Sequence, residues 1–297
     1  MYVLFGNLYY FVYIFAAVIL TIGLVSFLNH RTQTFRHWFI FGLILFAFVV
    51  HFLKIFIPPY TTNVEFIYTK ISFENICAVS TLTFPFLYFT KNKTLKDYMI
   101  MVGIASGILT FMFPVDAISE YFDGRIVGQK EAFSLEVIRF YMAHYLLFLS
   151  PFLMMTYKMH TLSIKRAWRA PLVLIGVLVL IYINELVLTA IGWVPRTELY
   201  DPQFRNPSFI FGIRGDLSGL GQIILVFVPF FMYSYNSVTM SYDFWPVVWL
   251  VFPAIFYGGA MVLIQMFIFD KDNTILFFKK LFSRLPESTE VKESKHV

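Results

Sequence analysis

Three positions apart, at the head of an apolar run from Ser72 to Thr90, stand a carboxylate and the chain's only cysteine, Glu74 and Cys77. That spacing places both on one helical face. His51 and Lys54 repeat it in the preceding apolar run. Arg139 and His144 follow in a third run, and the adjacent Asn184 and Glu185 in a fourth. Such residues can form ion pairs, line a polar cavity, or put a thiol to work. Metal ligation is a weak reading and no metal is expected. His51 and His144 lie on separate segments, with neither HxxxH nor ExxH spacing. Plainer readings stand beside these. Lys54, Glu74 and Arg139 lie near segment ends, where a long side chain snorkels to the headgroups. A single cysteine in an apolar helix serves as a small filler. His144, Asn184 and Glu185 lie deeper, where snorkelling serves less well.

The composition says what must position these groups. Of 297 residues, 59% are hydrophobic, 20% aromatic and only 14% charged, and the mean hydropathy is +0.71. Those values belong to a multi-span membrane protein and exclude a soluble domain of this size. One cysteine excludes a disulfide framework and a cysteine-based zinc cluster. The net charge of +5 is modest. Its basic residues sit in short loops, so they report orientation, and no nucleic-acid partner is expected. Met1–Leu28 lacks a basic n-region and a small-residue cleavage site, so it reads as a retained span rather than a signal peptide.

Apolar runs fall at about 8–28, 37–57, 72–90, 97–115, 137–157, 171–193, 217–236 and 244–269, each near the ~20 residues a bilayer core requires. Helices are the expected form, because backbone groups in lipid must pair within their own segment. The fold expected is an all-α, polytopic helical membrane protein over residues 1–269. Lys and Arg concentrate in alternate loops: Arg31 and Arg36, then Lys91 to Lys96, then Lys158 to Arg169. The loop Asp116–Glu136 is net acidic. The alternation places the N-terminus outside. The tail carries Lys271, Lys279, Lys280 and Arg284 and therefore reads as cytoplasmic. That favours seven crossings, with 217–236 the segment that does not cross; eight is the alternative. ILFFKKLFSRL (275–285) reads as a basic amphipathic helix on the inner surface, and the polar chain after Pro286 as disordered.

With this orientation, His51, Cys77, His144 and Asn184 lie roughly 8–13 Å below the outer boundary at ~1.5 Å per residue. Lys54, Glu74 and Arg139 lie somewhat shallower. Four spans thus contribute to one polar layer in the outer half, and charges at such depth pair or line a cavity. The second and third spans are antiparallel neighbours, so Lys54 can meet Glu74. Arg139 and Glu185 are a second expected pair. Arg139 and His144, five residues apart, do not share a face.

SFENICAVS around Cys77, RFYMAHYLLFLSP (139–151), INELVL (183–188), NPSFIFGIRG (206–215) and DFWPVVW (243–249) resemble, in order, motifs of the YwaF-like bacterial integral membrane proteins. Asn75 stands where that family often has His, and no Pro precedes Cys77. Its eukaryotic relatives resemble transmembrane protein 164, described as a phospholipid acyltransferase with an essential cysteine. The resemblance implies an enzyme of lipid metabolism in the bacterial plasma membrane, multi-pass, with membrane lipids as partners and no cofactor. It places the nucleophile on Cys77 and the general base on His144. Asn184 or Arg139 would then steady an oxyanion or a lipid phosphate, in a cavity also lined by His51, Lys54, Glu74 and Glu185. A buried thiol has a raised pKa, so such a nucleophile requires a neighbouring base or cation. The competing class is a transporter or lipid-binding membrane protein that uses the same cavity without covalent chemistry. Acylation of Cys77 separates the two.

Overall fold

The computed structural model describes residues 1–63, 66–114, 131–202, 207–213, 218–237 and 240–283. Helices dominate: α1 (Leu8–Asn29), α2 (Gln33–Leu53), α3 (Ile76–Phe89), α4 (Lys93–Met112), α5 (Leu135–Thr156), α6 (Arg169–Ala190), α7 (Ser218–Leu225), α8 (Val251–Phe269) and α9 (Lys271–Phe282). Each of the first five begins where a short polar residue interrupts the apolar pattern. Asn7, Thr32, Asn75, Asn92 and Ser134 are the N-caps, and each side chain accepts an amide hydrogen of the first turn. The end of α1 is closed from across the turn. Arg36 donates from Nε to the Leu28 carbonyl at 2.8 Å and from Nη2 to that of Asn29 at 2.9 Å.

Among the described residues, six helical segments are long and apolar enough to cross a bilayer, and Ile76–Phe89 is a shorter apolar helix. Phe15, Ile19 and Ile22 on α1, and Phe256, Ile264 and Ile268 on α8, are exposed, which is the surface a helix turns to lipid. The chain is therefore a multi-pass membrane protein.

Packing centres on α4 and α5, which lie against each other along their length. Two glycines one turn apart allow the approach, a small-xxx-small face. A Cβ on Gly103 would stand 2.7 Å from Pro151 Cγ and 2.8 Å from the Leu147 carbonyl oxygen. One on Gly107 would collide with Phe148 Cβ. Helix α2 packs on α3 and α5, and α6 packs on α4 and α8. The described interior divides into a cluster around Leu28, Ile40, Met99, Leu149 and Met266, another around Ile181, Ile210, Phe244 and Trp249, and a smaller one around Val3, Tyr10, Phe140 and Tyr141.

The stretch 217–236 departs from a spanning helix. Helix α7 has 8 residues and rises about 12 Å, well under half a bilayer core. After Pro229 come a helical turn, Phe230–Met232, and an antiparallel hairpin of β1 (Tyr233–Asn236) and β2 (Ser241–Phe244), with Tyr233 opposite Phe244 and Asn236 opposite Ser241. The all-α expectation is corrected at this hairpin. Tyr-rich alternation suits a pleated surface, and Pro229 and Pro246 flank the strands and keep helices out. Helix α8 starts only at Val251 for the same reason, with Pro253 tolerated in its first turn. Helix α9 docks on α8. Its Thr274 is buried and donates to the Asp270 carbonyl at 2.8 Å, while Lys279 and Lys280 are exposed. Residues 284–297, which take in the end of the expected amphipathic helix and the tail after Pro286 expected to be disordered, lie outside the described residues, as do most of the acidic loop 116–136 and part of the 206–215 motif.

Candidate functional site

Helix α3 creates the site by being short. Its 14 residues rise about 21 Å against a core of ~30 Å. At the basic end of the bundle Tyr88 ties it to α2, with its hydroxyl 3.0 Å from His37 Nδ1 and donating to the His37 carbonyl at 2.9 Å. Its head therefore lies below the opposite end, at membrane depth. Non-helical backbone is tolerated there only when buried in protein or lining a cavity, and residues 66–75 supply it. They run through a helical turn, Ile67–Ile71, into an extended stretch. Cys77 sits in the first turn, half-buried. The amides around it are held in place: Ile76 donates to Ser208 Oγ at 2.9 Å and Ala78 to Asn75 Oδ1 at 2.8 Å.

Above the cysteine lies a tier of ion pairs. Lys54 Nζ is 2.7 Å from Glu74 Oε1, so the α2–α3 pairing expected from the antiparallel arrangement is present. Lys70 Nζ is 3.5 Å from the other carboxylate oxygen. Arg139 grips Glu136 with two bonds, Nε to Oε2 at 2.6 Å and Nη2 to Oε1 at 2.5 Å. Tyr60 joins the two groups. Its hydroxyl donates to Glu136 Oε1 at 2.7 Å and accepts from Arg139 Nη2 at 3.3 Å. Its ring centroid lies 5.9 Å from Lys54 Nζ and 5.8 Å from Arg139 Cζ, within cation–π range. Lys54, Tyr60 and Glu136 are each buried, so low polarity strengthens every one of these contacts.

The expected Arg139–Glu185 pair does not form. Glu136 lies one turn from Arg139 on the same helix and offers both oxygens to the guanidinium, whereas Glu185 lies fully buried on α6 beside Asn184 Nδ2 at 3.4 Å. Asn184 also donates to Ser72 Oγ at 3.1 Å and so holds the irregular stretch that leads into α3.

Two histidines occupy the tier below. His51 is one turn down from Lys54 on α2 and buried, and among the described residues its Nε2 has no hydrogen-bond partner. His144 is half-buried on α5, which packs on α3. Its Nδ1 lies 2.8 Å from the Phe140 carbonyl. A carbonyl only accepts, so Nδ1 carries the proton and Nε2 keeps its lone pair.

A family model, described as TMEM164 family, matches residues 4–194. The chain belongs to the TMEM164 family. The match spans α1 to α6 and so takes in all eight residues singled out in the sequence. It supports the transmembrane-protein-164 side of the resemblance and says nothing of a YwaF-like bacterial assignment. No curated protein and no solved structure matches the chain.

In this TMEM164-family chain, sequence reasoning missed Tyr60, Lys70, Ser72, Glu136 and Ser208. Glu136 carried a usable signal, since it stands three residues before Arg139 at a helix start. Tyr60 and Ser208 carried none, being single polar atoms on connecting segments. A second network was also missed, at the basic end. Buried Asp97 lies 2.6 Å from His160 Nε2 and accepts from Arg166 Nε at 2.7 Å, while Arg166 also donates to the Thr161 carbonyl. A lone carboxylate at the start of an apolar run was its only trace.

Proposed function

We propose that this chain is a plasma-membrane enzyme that moves or hydrolyses the acyl chains of outer-leaflet phospholipids, with Cys77 as nucleophile and His144 as base. The observation that carries the reading is the placement of the thiol. It stands in the first turn of α3, one turn from a buried tier of ion pairs that includes Lys54, Lys70 and Arg139. A helix N-terminus favours the thiolate.

The step balances as follows. His144 Nε2 takes the thiol proton as Sγ attacks the ester carbonyl carbon. The C–S bond forms, the ester C–O bond breaks, and the proton passes from Nε2 to the departing lysolipid oxygen. A lipid hydroxyl or water then attacks the thioester, and the thiol is restored. The Nδ1–H bond to Phe140 supports this role, because it fixes the tautomer. Lys54 and Arg139 retain N–H donors beyond those given to Glu74 and Glu136, which suits a headgroup phosphate. Asn184 would steady the oxyanion, with Glu185 beside it.

A second reading gives the base to His51. Its buried, unpartnered Nε2 motivates it, since native proteins seldom leave such an atom unsatisfied without a use. Lys54–Glu74 contact also brings His51 and Cys77 to one level, each a turn below its member of the pair.

The test is trapping of the acyl-enzyme with a lipid-like ester probe, released by neutral hydroxylamine. Cys77→Ala should abolish trapping while the protein still inserts and purifies. His144→Ala should slow acylation by about 10²–10⁴-fold, and His51→Ala should slow it less. The reverse order moves the base to His51. Undiminished trapping in Cys77→Ala would end the reading of Cys77 as nucleophile, and no trapping in the unaltered chain would leave a non-enzymatic lipid carrier.

A further inference from the structure

Where α6 meets the β1–β2 hairpin is a cavity of about 450 Å³ whose walls include Tyr182, Tyr200, Phe211, Tyr242 and Phe244, with Asp243 at its margin. We propose that this cavity is a binding site for an organic ammonium group, of the kind borne by amine and choline headgroups or by small free amines. The site is separate from the chemistry proposed for Cys77 and does not depend on it. Of the residues just named, only Tyr182 falls within the family match to residues 4–194, so the box belongs to the C-terminal part of this chain.

The rings meet at steep angles rather than as a parallel stack. Phe211 stands nearly perpendicular to Tyr200, with centroids 5.3 Å apart at 81°, and steeply inclined to Tyr182, at 6.1 Å and 68°. The two tyrosines close the corner through their hydroxyls, 3.1 Å apart. Phe244 is anchored from behind. Its centroid is 4.7 Å from that of Trp249, whose indole N–H donates to the Phe209 carbonyl at 3.0 Å. Gly212 allows this wall to approach, with φ at +142° and a would-be Cβ only 2.8 Å from Phe244 Cδ2. A side chain there would push the wall inward.

Electrostatics choose the occupant. Aromatic faces are negative, so several around one volume attract a cation and repel a phosphate. Asp243 adds a carboxylate at the rim, on the opposite face of β2 from Tyr242 and Phe244. Asn236 Nδ2 donates to its Oδ2 at 2.9 Å, and an amide orients the carboxylate without neutralising it. Neither Lys nor Arg is among the described residues that line the cavity. The volume lies within the range of small-molecule sites and suits a trimethylammonium group with its linker.

Binding to the full-length chain in phosphatidylglycerol nanodiscs tests this, read by tryptophan fluorescence and calorimetry. Tetramethylammonium and phosphocholine should bind saturably and compete with each other. The neutral isostere 3,3-dimethylbutanol should bind at least tenfold more weakly. Asp243→Asn, a near-isosteric change at an exposed position, and Tyr200→Leu should each weaken binding by roughly 2- to 30-fold. Nanodiscs doped with phosphatidylcholine or phosphatidylethanolamine identify the source. Competition by the doped lipid assigns the site to a headgroup, and its absence, with soluble ammonium still binding, assigns it to a free amine. Equal binding of the neutral isostere would overturn the proposal, as would unaltered affinity in both variants. Cys77→Ala should bind as wild type does, so failure here is distinguishable from failure of the acyl-transfer reading.

Discussion

Removing the Glu74 carboxylate should cost more stability than removing the Lys54 ammonium, and the geometry says why. At 2.7 Å and an effective dielectric of 20, the Lys54–Glu74 attraction is roughly 6 kcal/mol. The Lys70 contact at 3.5 Å adds about 5 on the same scale. Desolvation of several kcal/mol per ion offsets most of this, so the intact cluster contributes little net stability. Breaking it is different. Glu74→Gln strips Lys54 of its carboxylate and takes one from Lys70 as well, and the expected loss is about 3–5 kcal/mol. Lys54→Met leaves Glu74 still beside Lys70, so roughly half that loss is expected. Lys54→Met with Glu74→Met buries no orphan from this pair and should recover part of the Glu74 loss. Thermal unfolding in nanodiscs reads all three, with the Glu74→Gln midpoint lower by on the order of 10 °C. Additive effects within about 0.5 kcal/mol would refute the argument and return both residues to independent snorkelling.

Gly107→Leu should drive α4 from α5, with a loss above the ~1–3 kcal/mol typical of overpacking because the obstruction is backbone and Cβ of Phe148; Gly42→Leu, with open space at its Cβ, is the control, and equal midpoints for the two would refute the close approach. Topology reporters fused at Lys93, Gly128, Lys165 and Lys280 should read in, out, in and in, the order the loop charges dictate; an outside signal at Lys280 alone would require another crossing.

The long helices were legible because apolar runs of spanning length stand out in hydropathy. Their polar caps, such as Asn92, set the exact starts and were not read from the sequence. The polar layer was legible as a list of residues at one depth, because charges in an apolar run are few and each asks for a partner. Who pairs with whom was only half legible. Lys54 and Glu74 sit on adjacent spans joined by a short connection, and geometry leaves them little choice. Arg139 had a choice between a residue on its own helix and one on another. The same-helix partner won, since one turn of helix fixes both ends before any packing occurs. The hairpin Tyr233–Phe244 was missed because its first strand directly follows the apolar run ending at Met232, so the two read as one segment. Only Pro229 and Pro246 hinted at it.

The misjudged boundary of α3 carries the most meaning. Hydropathy spreads its span over 72–90, but the helix begins at Ile76, because Asn75 is a strong cap and Glu74 is held outside by Lys54 and Lys70. Four residues of missing helix leave about 6 Å of depth that irregular backbone must fill. Each such residue in lipid carries an amide and a carbonyl that need partners. Ser208 meets one of these needs through the Ile76 amide, and Ser72 and Asn184 tie the irregular stretch to α6. A single-span role for this segment would be served better by four more apolar residues and none of these bonds. The chain instead maintains a buried helix start with a thiol in its first turn and a tier of ion pairs beside it. That arrangement costs stability wherever a partner is lost.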